Sequence, residues 1–154
     1  MSTQAVITDS PALASLQQRA LTVGVIGLVA SLVGAAMDFN QFIYSWLIGF
    51  LFCLGLTLGS LGLLMLQHVS GGQWGLVSRR IFEAATRTLP IVALLFIPVA
   101  LQLPVLFEWA RPEAADNAII QAKAGYLNVG FFLVRAVLYF AFWMGLVVLL
   151  NRWS

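Results

Sequence analysis

The chain has 154 residues, of which 61% are hydrophobic and only 9% charged, with a formal net charge of +2 and a mean hydropathy of +0.95. A water-soluble domain has no use for that much apolar surface, and so small a net charge argues against a nucleic-acid partner. A single cysteine, Cys53, and a single histidine, His68, exclude an internal disulfide, a cysteine-held iron–sulfur cluster and bis-histidine haem ligation within the chain.

The apolar runs are too long and too weakly alternating for barrel strands. They predict an all-α polytopic membrane protein. Its expected form is a four-transmembrane-helix bundle, with an amphipathic interfacial helix between the second and third spans. Residues 1–19 form a short polar segment without the basic start, apolar run and cleavage site of a signal peptide. Asp9, Ser10 and Pro11 read as a helix start, since serine caps free amides and proline fits the first helical position. The bundle then occupies residues 20–154. Its first span is expected from Ala20 to Met37, with small residues Gly24, Gly27, Ala30, Ser31 and Gly34 suited to helix contact. Asp38, Phe39 and Asn40 make a short turn into the second span.

That second span, Gln41 to His68, is the centre of the chain. It carries no formal charge before its closing histidine, and at ~1.5 Å per residue it exceeds a ~30 Å hydrocarbon core. Ser45 and Gly49, then Gly55 and Gly59, recur four apart, which predicts close approach of a neighbouring helix. Ser70, Gly71 and Gly72 end it. From Trp74 the pattern turns amphipathic, with Trp74, Val77, Ile81 and Ala85 on one side and Arg79, Arg80, Glu83 and Arg87 on the other. Glu83 and Arg87 have ion-pair spacing. The third span, about Leu89 to Phe107, contains Pro90, Pro98 and Pro104, so a kink is expected. Glu108 to Gly125 is a polar, partly helical connection. The fourth span runs from about Tyr126 to Leu150, with Arg152 and Trp153 as interface anchors. Arg19, Arg79, Arg80, Arg87 and Arg152 then share one side, against Arg111 and Lys123 on the other, which places both termini in the cytoplasm.

Four ionisable residues stand out. Arg135 lies about nine positions into the fourth span, on the order of 12 Å from its outer end. An arginine there costs roughly 2.5–3.5 kcal/mol unless paired or hydrated. Asp38 and Glu108 end the first and third spans at the same level, so the three residues could form an outer polar cluster. Arg135 could equally snorkel to the interface, or serve a proton path or quinone headgroup. Asp38 is otherwise a helix cap. His68 is a helix-end hydrogen bonder or a proton-entry group, because imidazole exchanges protons near neutral pH. No nucleophile–base pair, phosphate loop or metal motif is present in the sequence. The basic cluster at Arg79, Arg80 and Arg87 suits anionic lipid or a partner subunit.

The run LGLTLGSLGLLMLQHVSGGQWGLVSRRIFEAATRTLPIVALLFIPV, then KAGYLNVGFFLVRAVLYFAFW and the closing LNRWS, resembles the F subunit of bacterial alternative complex III, a quinol:cytochrome c oxidoreductase. Its membrane subunits are similar to polysulfide-reductase/NrfD-type proteins. The resemblance covers Asn40 to Ser154. Family members have more membrane helices, so the chain resembles the first four-helix portion of a longer subunit, as a fragment or as a truncated relative. The resemblance implies a subunit of the bacterial inner membrane that holds no cofactor and lies beside the quinol-oxidising subunit. Haem c and iron–sulfur clusters would belong to partner subunits, quinone or quinol to the complex, and a share in proton conduction to this subunit. The rival expectation is a structural scaffold with neither a proton nor a quinone site.

Overall fold

A computed structural model describes residues 11–71 and 78–153, with the side chains of residues 11–13 and 153 outside that description. Asp9, Ser10, Trp74 and Val77 therefore lie outside the described residues, as does the Trp153 side chain. The fold is all-α: among the described residues there are helices and turns and no strand. Four helices are long and apolar enough to cross a membrane, over Ala14–Met37, Phe39–Ser70, Arg79–Leu101 and Val129–Arg152.

The chain divides into two compact units, residues 1–42 and 43–154. The first holds α1 (Pro11–Met37), the turn at Asp38 and the first residues of α2 (Phe39–Ser70). Asp38 Oδ1 accepts the Gln41 amide at 3.0 Å, so the acid caps the start of α2. At its other end α2 stops at Gly71, whose φ of +63° is a left-handed conformation that glycine adopts without Cβ strain. The Gly71 amide closes onto Gln67 O at 2.9 Å.

The second unit is built on α2, α3 (Arg79–Thr86), α4 (Leu89–Leu101), α5 (Leu103–Leu106), a connection of 3-10 turns at Glu108–Ala110 and Pro112–Asp116, α6 (Ala118–Gln121) and α7 (Val129–Trp153). Two apolar clusters hold it together. Leu61, Leu64, Leu89, Val147 and Leu150 join α2, α4 and α7 near the His68 end. Phe50, Val92 and Val99 join α2 to α4 further along. Phe96 extends the second cluster with ring contacts to Phe50 at 5.7 Å, Phe140 at 5.7 Å and Phe132 at 6.2 Å. Such tilted pairs each add roughly 0.5–1.5 kcal/mol beyond area burial.

The third predicted span breaks where its prolines dictate. Pro98 and Pro104 have no amide hydrogen, and the helix is interrupted between them at Gln102. Backbone carbonyls along this broken segment are taken up by side chains, as the hydrocarbon region demands. Trp46 Nε1 donates to Leu95 O at 3.0 Å, and Tyr44 Oη to Val105 O at 2.9 Å. Arg111 Nε donates to Pro104 O at 2.9 Å, a cation closing a helix C-terminus.

Three features sharpen the sequence reading. The inward face of α3 is Phe82 and Thr86, while Ile81 is 67% exposed. The alternation of apolar and charged residues separates greasy from polar; it does not separate the core side from the lipid side, since both are apolar. The small residues of α2 point outward: Ser45, Gly49, Gly55 and Gly59 are exposed, and no atom of the second unit lies within 4 Å of a Cβ built on Gly55 or Gly59. The helix of the fourth span begins at Val129, not Tyr126, because Asn128 Oδ1 accepts the Phe131 amide at 2.7 Å and sets the start there.

Candidate functional site

Arg135 is the seventh residue of α7, about 9 Å along the axis from Val129. Helical side chains lean toward the N-terminus of their helix, and this one meets rings near that end. Its Cζ lies 3.7 Å from the centroid of Tyr126 and 5.0 Å from that of Phe131. The guanidinium is thus held on aromatic faces. Nη1 is buried and has no hydrogen-bond acceptor. Beside it is a cavity of about 270 Å³ lined by Phe50 of α2, Phe96 of α4, and Phe132, Tyr139, Phe140 and Trp143 of α7, among others.

Within the second unit, Arg135 and Glu108 are not paired. The carboxylate–base pair found among the described residues is Arg79–Glu83 at 3.0 Å, and Arg135 meets rings instead of Glu108. The expected Glu83–Arg87 spacing is realised by the opposite neighbour, one turn earlier. Glu108 opens a 3-10 turn and lines a surface cleft with Arg111 and Glu113. Asp38 belongs to the first unit and acts there as the cap of α2. His68 Nδ1 lies 2.8 Å from Leu64 O. A carbonyl only accepts, so Nδ1 carries the hydrogen.

A second set of polar groups was not singled out in the sequence. Thr57, Gln67 and Thr86 are buried within apolar surroundings, Thr86 completely. The Thr57 and Thr88 hydroxyls are 3.2 Å apart. Asn151 Nδ2 donates to Val147 O at 2.8 Å and to Thr86 Oγ1 at 3.4 Å. Gln67 Oε1 and Asn151 Oδ1 are buried carbonyl oxygens with no donor among the described residues. The signal was legible for Thr57 and Gln67, polar residues inside the apolar run that ends in His68; Thr86 and Asn151 stand beside arginines, where a polar residue is ordinary. Uncharged residues of this kind attract less notice than an arginine.

Together these elements define an α-helical membrane-type protein. Its ionisable and polar groups sit at two opposite ends of the second unit, with an aromatic ladder between them. No protein-family model matches the chain, and no curated protein matches it.

Proposed function

We propose that this chain is an integral membrane subunit of a respiratory quinol:electron-acceptor oxidoreductase of the alternative complex III type. It would lie in the bacterial inner membrane with both termini in the cytoplasm, beside the subunit that oxidises quinol. The observation that carries this reading is the resemblance over Asn40 to Ser154. The outward small-residue face of α2 at Gly55 and Gly59 is compatible with it, because in lipid such faces receive a further helix. On this reading the haem and iron–sulfur electron path runs through other subunits. This chain supports the membrane arm and contributes hydrogen-bonding groups to proton movement, with His68 and the Thr57–Thr88 and Thr86–Asn151 contacts on one side.

The test is isolation of the native protein from its membranes in mild detergent and identification of what copurifies. Multihaem cytochrome and iron–sulfur subunits support the proposal. A chain that purifies alone, with no redox subunit, overturns it.

A structural scaffold without a proton role is the second reading. It is favoured by one observation: Asp38 and His68 are each engaged in a helix-end hydrogen bond. The scaffold reading expects Asp38→Asn and His68→Gln to leave proton-coupled quinol oxidation intact. The proton-conducting reading expects His68→Gln to slow it while the complex still assembles.

A further inference from the structure

The cavity beside Arg135 contains a cation and no acid. Its other lining residues are uncharged and mostly aromatic, with Phe96 and Trp143 among them. Arginine stays protonated, and its planar fork matches the oxygens of a phosphate or carboxylate. Tyr126 covers one face of the guanidinium, and the buried Nη1 has no acceptor. Among the described residues no acid balances the charge of Arg135. The side chain reaches toward the end of α7 that adjoins the polar connection, where lipid headgroups lie in a bilayer. At about 270 Å³ the cavity is smaller than the ~300–1,000 Å³ of sites that enclose a whole small-molecule ligand. It suits one part of an amphiphile whose remainder stays in the membrane.

We propose that this cavity binds an anionic phospholipid of the phosphatidylglycerol class. A phosphate oxygen accepts from the Arg135 guanidinium where it lines the cavity, and the first part of an acyl chain lies along Phe96 and Trp143. A neutral amphiphile with a carbonyl would satisfy the N–H but leave the positive charge uncompensated. A water-soluble phosphate would gain nothing from the aromatic walls. The assignment does not rest on the respiratory reading, and it stands or falls separately.

Native mass spectrometry of the full chain, delipidated and then titrated with phosphatidylglycerol or phosphatidylcholine, tests it. The wild type is expected to prefer phosphatidylglycerol by roughly tenfold, because phosphatidylcholine offers the same phosphate oxygen but its choline cation leaves the charge of Arg135 uncompensated. Arg135→Leu is expected to abolish that preference. Ala136→Leu, which fills the cavity and keeps the charge, is expected to weaken retention, and it decides the matter if the arginine variant fails to fold. Equal retention of the two lipids by the wild type would overturn the proposal. So would an unchanged preference in Arg135→Leu, unchanged retention in Ala136→Leu, or displacement of the lipid by inorganic phosphate or by a neutral quinone at equal concentration.

Discussion

Leu64 is fully buried between α2, α4 and α7, whereas Leu56, on the same helix, is 58% exposed. In a water-soluble core, Leu→Ala at a site like Leu64 costs about 2.7–5.0 kcal/mol. Roughly 2.4 kcal/mol of that is transfer of three methylene-sized groups at ~0.8 kcal/mol each. Inside a bilayer the transfer contribution vanishes, because lipid chains are as apolar as leucine. The packing contribution remains, so Leu64→Ala should destabilise by about 1–2 kcal/mol. Leu56→Ala should stay within about 0.5 kcal/mol, because an acyl chain fills the space. Reversible unfolding in mixed micelles by titration with a denaturing detergent measures both. Equal losses at the two positions would refute the reasoning, since Leu56 would then be packed against protein. A loss above about 4 kcal/mol at Leu64 would refute it too, because the reference state would then be water.

Trp46→Phe keeps the ring in the second cluster but removes the bond to Leu95 O, and should cost about 0.6 kcal/mol in the same titration. Faster amide exchange near Pro98 should accompany it; no change in either measurement would mean the bond does not hold the proline-broken segment. Asn151→Leu removes an amide whose Oδ1 is buried without a donor, so it should be neutral or stabilising if Asn151 only packs. A loss of more than about 1 kcal/mol would show that the bonds from Nδ2 to Val147 O and Thr86 Oγ1 outweigh the cost of the unsatisfied Oδ1.

The spans were readable because hydropathy and length leave few alternatives for runs such as Gln41 to His68. Helix ends were readable where chemistry is local. Gly71 ends α2 through its positive φ, and Pro98 with Pro104 breaks the third span. The site was less legible. The search for a partner of Arg135 weighed carboxylates, yet the rings that hold it come from Phe131, one turn away, and from Tyr126 in the turn before the helix. Apolar sides of a membrane helix face either core or lipid, so periodicity could not tell that Phe82 points inward and Ile81 outward. Glycine spacing marks where a helix could approach, not whether one from the same chain does, which is why Gly55 and Gly59 face away from their own unit.

The central claim is that these helices thread a bilayer, with the arginines around α3 and the polar connection before α7 on opposite sides. Arg80 and Asp116 are both exposed and lie in those two regions. With Cys53 replaced by serine, Arg80→Cys and Asp116→Cys variants can be challenged with a membrane-impermeant thiol reagent on intact spheroplasts. The account predicts that the cysteine at 116 reacts at once and the cysteine at 80 reacts only after lysis. Reaction of both from the same side would contradict it.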